Sequence, residues 1–166
     1  NDHVNRGQSS NDVIPTALHI ADRVELEPLF AALRHLVETI RKKEEAFAGL
    51  VKLGRTHLQD AVPMTLGQEF SGFRVQVEKA ITRVEHTREH LEELALGGTA
   101  LGTGLNAHPE FADDVAKEIA HETGIPFRSA PNKFEAIAAR DAQVELMGAL
   151  NTYATSLMNI ANALRI

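Results

Sequence analysis

The amino-acid sequence predicts an all-α protein, a bundle of long antiparallel helices, and two observations support that prediction. Apolar residues recur at spacings of three and four over long stretches of the chain, which is the period of one helix face. The alternating pattern of a half-buried strand is nearly absent, and only residues 125–128 resemble a short extended piece. Long amphipathic helices bury their apolar faces by packing side by side, so a bundle is the expected architecture.

The first helix is predicted from about Pro15 to Ala48. Its apolar residues fall three or four positions apart, on one face: Leu29, Leu33, Leu36, Val37 and Ile40. Pro28 lies inside this stretch. Because a proline removes a helical hydrogen bond, we expect a kink or a break near Glu27.

The second helix has the most sustained pattern, and we predict that it is the longest uninterrupted helix, from near Thr65 to near Ala95. Eight of its nine periodic positions are apolar: Leu66, Phe70, Phe73, Val77, Ala80, Val84, Thr87, Leu91 and Leu94. Thr65 and Gln68 have the spacing of a capping box, and Gly97-Gly98 is a typical helix stop. Such a helix is about 45 Å long, which favours burial against other subunits.

Two further helices complete the prediction. A shorter one follows Pro109 and ends at Gly124-Ile125-Pro126, with an apolar face of Phe111, Val115 and Ile119. A last long helix is predicted after Asn132 and Glu135, which again have capping-box spacing. Its apolar stripe comprises Val144, Met147, Ala154, Leu157, Ala161 and Leu164.

The composition narrows the class of protein. The 166 residues are 43% apolar and include no cysteine, so we expect one folded domain and exclude a disulfide scaffold or a thiolate zinc site. The net charge of −6, without a basic stripe, argues against nucleic-acid binding. No apolar run approaches the roughly 20 residues of a membrane span. We therefore expect a cytoplasmic protein, or one of the mitochondrial matrix if the source is eukaryotic.

Three consecutive hydrogen-bonding residues, Ser9, Ser10 and Asn11, precede the first helix. Serine and asparagine are common N-cap residues, but one cap requires only one of them. A helix N-terminus also offers free N–H groups and partial positive charge, which suit a carboxylate. From the residues alone, capping and substrate binding both remain open.

Thr56 and His57 lie in residues 54–60, which we predict to be a polar loop between two helices. A histidine in a loop is usually an ordinary surface residue. Here the adjacent Thr56 hydroxyl and a possible partner in Asp60 favour function, because an imidazole titrates near neutral pH and suits proton transfer. We predict that His57 faces a polar cleft and is not buried among leucine and valine side chains.

The glycine-rich residues 97–106 are not interpreted as a nucleotide-binding loop. Residues 102–107 nearly match a dinucleotide fingerprint, but that fingerprint follows a strand, and here a helix comes first. Two interpretations remain: a helix stop with a turn, or a backbone that passes close to a ligand.

Residues 86–90 spell H-x-x-E-H, the pattern of a zinc peptidase. Helical geometry places His86 and His90 opposite the predicted apolar face, and the sequence offers no evident third ligand. We interpret this match as coincidence and predict no metal site.

Three stretches of the chain, taken together, have a family resemblance. They are residues 1–5 followed by 8–12, residues 54–60 continuing into 63–70, and residues 130–136. In their order along the chain and in their residues, these stretches resemble the fumarase/aspartase superfamily, and within it the class II fumarases. The resemblance extends over essentially the whole chain.

The resemblance implies a fold, a reaction and an assembly. Residues 1–166 are expected to be the central helical-bundle domain of that superfamily, truncated at both ends. The implied reaction is the reversible anti addition of water to fumarate, giving L-malate, with no cofactor and no metal. The implied assembly is a homotetramer whose active sites each draw on three subunits. A Gly-Ser-Ser loop with the catalytic serine is expected beyond Ile166, so we expect this chain alone to be inactive.

The resemblance also implies roles for seven residues. His57 is the expected catalytic residue, which relays a proton or orients the water. The expected substrate-binding residues are Ser9, Ser10, Asn11 and Thr56, together with Asn1 and Asp2 at a second, non-catalytic dicarboxylate site.

An aspartate ammonia-lyase of the same fold is the alternative. Aspartases usually have Ser-Thr-Asn-Asp where this chain has Ser-Ser-Asn-Asp at residues 9–12, which favours a fumarase. Residues 58–63 resemble aspartases about equally well. A non-enzymatic helical module is a third hypothesis, which the composition alone allows.

Overall fold

The computed structural model describes residues 2–165, which form two compact units. The first unit contains residues 2–27 and 86–147, and the second contains residues 28–85 and 148–165. Six helices and two sheets of two strands each are described in these residues, which confirms the predicted all-α class. None of the described helices is long and apolar enough to cross a membrane.

Helix α1, Ser10–Ala46, is the longest described helix, with 37 residues. It begins earlier than the predicted start at Pro15. The Oγ of Ser9 accepts a hydrogen bond from the backbone N of Asn11 at 3.2 Å, which stabilises the first turn as an N-cap does.

Of the kink or break predicted near Glu27, the break is wrong, because α1 continues through Pro28. Pro28 is exposed, and so is Val24, whose carbonyl loses its usual helical partner. Water can solvate a carbonyl on that face. Leu26 and Phe30, on either side of the proline in sequence, are both buried.

Helix α2, Leu66–His86, has 21 residues and opens with the predicted capping box. The backbone N of Thr65 donates to Oε1 of Gln68 at 2.9 Å, and the backbone N of Gln68 donates to Oγ1 of Thr65 at 3.1 Å. Its buried side chains fall on the predicted apolar face: Phe73, Val77, Ala80 and Val84.

The predicted continuous helix up to Ala95 is wrong, because regular helix stops after His86. A single turn, α3 (Arg88–Leu91), follows Thr87, and the chain then becomes a strand, β3 (Glu93–Leu94). The apolar period nevertheless holds, since Leu91 and Leu94 are both buried.

A distant segment explains why the chain does not continue as a helix through Glu93 and Leu94. Strand β4, Arg128–Ser129, pairs in parallel with β3 and overlaps the predicted extended piece. The backbone N of Arg128 donates to the Glu92 carbonyl at 2.8 Å, and the backbone N of Ala130 donates to the Leu94 carbonyl at 3.0 Å. These carbonyls pair with a strand instead of with a further helical turn.

The predicted loop at residues 54–60 is also wrong, because it belongs to an antiparallel hairpin. Strand β1, Val51–Thr56, pairs with strand β2, Gln59–Thr65, through a turn at His57-Leu58. Tight hairpin turns usually contain glycine or asparagine, and this turn has neither. The strongest local signal for a hairpin is therefore missing from the sequence.

The remaining helices largely follow the prediction. Helix α4, Phe111–Thr123, ends at Gly124, which adopts the left-handed conformation with φ of 68°. Asn132 caps the short helix α5, Lys133–Ala138, accepting two backbone N–H groups. The last long helix, α6 (Asp141–Arg165), begins later than predicted.

Each unit has its own apolar core. In the first unit a buried cluster packs beside α4 and β3: Leu94, Ala116, Ile125 and Phe127. In the second unit Phe70 contacts two rings edge-on, Phe47 at 5.3 Å and Phe73 at 5.4 Å between centroids.

Candidate functional site

The first turn of α1 holds three predicted site residues at the surface of the first unit. Ser9 is partly buried and its hydroxyl caps the helix, so the capping interpretation is confirmed for this residue. Ser10 and Asn11 are exposed. The Nδ2 of Asn11 donates to the carbonyl of Ala100 at 2.8 Å, which orients the amide. Substrate binding by these three residues stays a prediction.

The next residue, Asp12, connects this turn to the glycine-rich segment. Its side chain is buried, with 1% exposure for the residue. Oδ2 accepts hydrogen bonds from the backbone N of Gly97 at 3.0 Å and of Thr99 at 2.9 Å. Local sequence could not indicate this role of Asp12, because its partners lie more than 80 residues away along the chain.

The glycines of this segment allow close packing against the protein's own helices. A Cβ on Gly97 would lie 2.4 Å from Cβ of Ala112 in α4. A Cβ on Gly102 would lie 2.8 Å from the ring of Phe134 in α5. At these positions the close approach is to protein, so glycine is required for packing, whether or not a ligand also approaches.

Gly97→Ala should therefore destabilise the protein by about 2 kcal/mol or more, because it adds a clash to a positive φ of 93°. Urea unfolding of the full-length protein measures the change. Gly148→Ala in α6 is the matched control, since a Cβ there meets no atom within 4 Å. The control should gain about 0.5–1 kcal/mol from helix propensity. Equal effects of the two changes would contradict this account of the loop.

The catalytic candidate lies at the tip of the β1–β2 hairpin in the second unit. His57 has φ of 51° and Leu58 has φ of 59°, both in the left-handed region that disfavours ordinary side chains. Two positive φ values in sequence are typical of a type I′ turn. Strained backbone of this kind persists where the surrounding structure enforces it, often at functional sites.

The His57 side chain is exposed, so the part of the prediction that it is not buried among leucine and valine is confirmed, and the polar cleft that it was expected to face stays a prediction. It lines neither of the two cavities described below. Asp60, its possible partner, instead accepts a hydrogen bond from Nε of Arg55 at 3.3 Å. Thr56 is exposed beside His57 and pairs with Gln59 at the end of the ladder.

The predicted site residues are divided between the two units. Ser9, Ser10 and Asn11 belong to the first, and Thr56 and His57 belong to the second. Asp2 is exposed in a run of turns before α1, and Asn1 lies outside the described residues.

A cavity of about 720 Å³ lies beside those turns in the first unit. Basic and amide side chains line it together with apolar ones: His3, Arg6, Gln8, Asn106, His108 and Phe111. Gly7 also lines the cavity and packs closely against the backbone of Asn106. A Cβ on Gly7 would lie 2.9 Å from the carbonyl oxygen of Asn106. Asp2 precedes His3, which lines the cavity, but Asp2 itself does not line it.

A second cavity in the first unit, of about 350 Å³, combines two histidines with carboxylates: His19, His90, Glu93, Glu135, Asp141 and Glu145. Burial lowers the pKa of His19, whose Nδ1 lies 3.2 Å from the carbonyl of Leu91. The hydrogen bond of 2.6 Å with Glu145 raises the pKa of His90. No local pattern in the sequence could reveal this cluster, because its residues extend from position 19 to position 145.

The His90–Glu145 pair should make stability depend on pH. The pKa of His90 is raised on folding above its ordinary value of 6.5, so the pair stabilises the fold fully below that value. This contribution is lost as the pH rises through the raised pKa. Both side chains are largely exposed, which limits the effect to under about 1 kcal/mol.

Urea unfolding at a series of pH values between about 5 and 9 tests this. His90→Gln and Glu145→Gln should remove the same part of the pH dependence, and the double variant should remove no more. Additive losses from the two single variants would contradict a direct pair.

The H-x-x-E-H residues do not come together as metal ligands. His90 is hydrogen-bonded to Glu145, and His86 is exposed at the end of α2. Within residues 2–165 the one group with ligand atoms close enough to hold a metal ion is Glu118, His121 and Glu122, which is exposed on α4. Its three side chains are spaced along about one turn of α4, and it includes neither histidine of the H-x-x-E-H motif.

Comparison with known proteins decides the family. A family model described as lyase, Lyase_1, matches residues 1–166. The chain belongs to this lyase family. It is 56% identical over 166 residues to the mitochondrial fumarate hydratase of Dictyostelium discoideum, a match that covers 99% of this chain and 34% of that protein. It is 55% identical to the class II fumarate hydratase of Neisseria meningitidis, covering 99% and 36%. The predicted membership of the fumarase/aspartase superfamily is confirmed.

Solved structures agree with this assignment. The class II fumarase of Schistosoma mansoni superposes with a TM-score of 0.95 at 38% identity, covering 98% of this chain and 37% of that one. A fumarate lyase:delta crystallin from Brucella melitensis superposes with a TM-score of 0.92 at 40% identity, covering 99% and 36%. The chain spans about a third of the length of the relatives it matches.

Proposed function

We propose that the protein containing this chain is a hydro-lyase that interconverts fumarate and L-malate by reversible anti addition of water. The observation that supports this most strongly is the identity of 55–57% with fumarate hydratases along nearly the whole chain. The substrate is a small dicarboxylate. The residues available for it are hydroxyl, amide and imidazole groups on α1 and on the hairpin.

In this proposal the first turn of α1 receives one substrate carboxylate. The open N-terminus of a helix carries partial positive charge and free N–H groups, and this helix has 37 residues. The exposed side chains of Ser10 and Asn11 add donors beside Ser9. Thr56 supplies a further hydroxyl.

His57 then relays a proton or orients the attacking water. Removal of the proton next to a carboxylate produces a dianion, whose charge must be met by donors already in position. An exposed imidazole on a strained turn can reach into such a site from the hairpin tip. Asn1 and Asp2 are proposed to form a second, non-catalytic dicarboxylate site.

We further propose that the protein is a homotetramer and that its active sites form between subunits. Long helices of this chain leave large apolar side chains exposed, which supports burial against other copies: Ile14 and Leu18 of α1, and Val144, Met147, Met158 and Leu164 of α6. The two groups of site residues belong to different units of one chain, Ser9 to Asn11 in the first and Thr56-His57 in the second. They are proposed to meet across subunit boundaries.

The mitochondrial and bacterial relatives favour two compartments, the mitochondrial matrix in a eukaryote and the cytoplasm in a bacterium. Fractionation of the source cells distinguishes them.

The reaction is tested with the full-length protein and fumarate, by following the loss of fumarate ultraviolet absorbance with and without ammonium. A hydro-lyase consumes fumarate in either case and forms L-malate. Consumption that requires ammonium would indicate an aspartate ammonia-lyase. No consumption in either case would support a non-enzymatic helical module.

Sites shared between subunits predict complementation. We expect Asn11→Ala and His57→Asn each to be impaired, and a mixture, unfolded and refolded together, to exceed the summed activities of the separate variants. Mixed tetramers then contain some sites with neither change. The two variants refolded separately and then combined are the control. A mixture that never exceeds the control would rule out sharing of these residues.

A further inference from the structure

Asp12 is a buried carboxylate to which the proposed reaction assigns no role. It is the third residue of α1 and its exposure is 1%. A carboxylate at the third position of a helix can reach back to the N–H group of the N-cap residue. Here Oδ2 instead accepts the backbone N–H groups of Gly97 and Thr99, at 3.0 and 2.9 Å. Charge-assisted bonds of this kind are among the stronger hydrogen bonds in proteins.

Thr99 adopts a backbone conformation that requires support. Its φ is 57°, which is unfavourable for a β-branched residue. This conformation accompanies the bond from its N–H to Asp12. The same loop also packs closely against two helices. A Cβ on Gly97 would clash with Ala112 of α4, and a Cβ on Gly98 would clash with Ile137 of α5. The loop is therefore held between the two helices and the Asp12 carboxylate.

The same loop orients a proposed substrate-binding side chain. The carbonyl of Ala100, next to Thr99, accepts a hydrogen bond from Nδ2 of Asn11 at 2.8 Å. One amide hydrogen of Asn11 is thereby committed to the loop, which leaves its second hydrogen for a ligand. The position of Ala100 depends on Thr99, and the position of Thr99 depends on Asp12.

We infer that Asp12 is a positioning residue for the dicarboxylate site: it holds Gly97 and Thr99 so that the Ala100 carbonyl orients Asn11 at the open turn of α1. This inference rests on the proposed function, since Asn11 is taken to bind a substrate carboxylate. Asp12 itself is buried and does not touch the substrate.

The test compares three variants of the full-length protein. Asp12→Ala removes the acceptor, whereas Asp12→Asn keeps an oxygen that can accept the same N–H groups. Ile125→Ala is the matched control, because it removes buried apolar volume from the core of the same unit without touching the loop. For each variant we measure KM and kcat for fumarate, inhibition by succinate, and hydrogen exchange of the Gly97 and Thr99 amides.

We expect Asp12→Ala to raise KM and the succinate inhibition constant about tenfold or more, with a smaller fall in kcat. Its Gly97 and Thr99 amides should lose protection. Asp12→Asn should restore most of both properties. Ile125→Ala should lower the thermal unfolding midpoint and leave KM unchanged.

Two results would overturn the inference. One is an unchanged KM in Asp12→Ala, and the other is an equal rise of KM in Ile125→Ala, which would show a general effect of lost stability. A wild-type protein that neither consumes fumarate nor binds succinate would refute the proposed function, and the inference with it. If the Gly97 and Thr99 amides of that inactive protein were still protected from exchange, Asp12 would hold the loop, and the failure would lie in the proposed function.

Discussion

His57→Asn should reduce the turnover of fumarate by the full-length protein by roughly 10²–10⁴-fold, the usual loss when a general acid or base is removed. Asparagine adopts positive φ more readily than most residues, and the backbone at this position has φ of 51°. The hairpin should therefore keep its turn, and the loss can be attributed to the imidazole. Initial rates with saturating fumarate measure the change.

Leu58→Asn is the matched control for this prediction. It makes the same kind of replacement at the neighbouring turn position, where φ is 59°, and leaves the imidazole in place. Its turnover should stay within about tenfold of the wild type, since no proton is transferred by a leucine. Near-normal turnover of His57→Asn would remove this residue from the mechanism.

Arg23→Met should lower the free energy of unfolding by about 3 kcal/mol, because it leaves the buried Glu92 carboxylate with only the more exposed Arg128, 3.9 Å away, as a partner. The Nε of Arg23 lies 3.0 Å from Oε1 of Glu92, and the two side chains are only 7% and 12% exposed. Arg23 also pairs with Glu27, four residues later on α1, at 2.6 Å. The pair joins α1 to the point where the chain leaves α3 for β3.

An exposed ion pair provides the contrast. Arg41→Met removes bonds to Glu38 and Glu45 on α1, but Arg41 is 48% exposed, so the expected loss is much smaller than that of Arg23→Met. The double variant Arg23→Met with Glu92→Leu should recover most of the lost stability, because no buried charge then remains unpaired. Urea unfolding midpoints measure all three. Equal losses from Arg23→Met and Arg41→Met would show that burial does not set the effect.

Structural features that depend on neighbouring residues could be predicted from the sequence. The capping box of Thr65 and Gln68 spans three residues, and its two hydrogen bonds are present. Gly124 ends α4 because glycine alone adopts the left-handed conformation without cost. Asn132 caps a helix as predicted, although that helix is the short α5. In each case both the donor and the acceptor lie within one helical turn.

The local structure around the candidate site residues was predicted only in part, and their roles stay a prediction. The motif around residues 9–11 indicated the N-terminus of a helix, and the structure places it there. The segment around His57 indicated an exposed polar position, but the hairpin was not predicted. An irregular loop and a hairpin tip can have the same polar sequence, and the turn lacks the glycine or asparagine that usually marks a hairpin.

By itself, the sequence determined the helical class, several helix caps and the family, because these depend on local periodicity, on hydrogen bonds within one turn and on the residues of the motifs. Only the tertiary structure decided that residues 93–94 form a strand instead of continuing the helix, how residues 51–65 pair and what Asp12 binds. Each of these is a choice of partner for a backbone group, and the competing partners lie far apart in sequence. The Leu94 carbonyl, for instance, could accept from the next turn of a helix or from Ala130, and it accepts from Ala130. That choice depends on burial of Leu94 with Ile125 and Phe127, residues that meet only once the chain is folded.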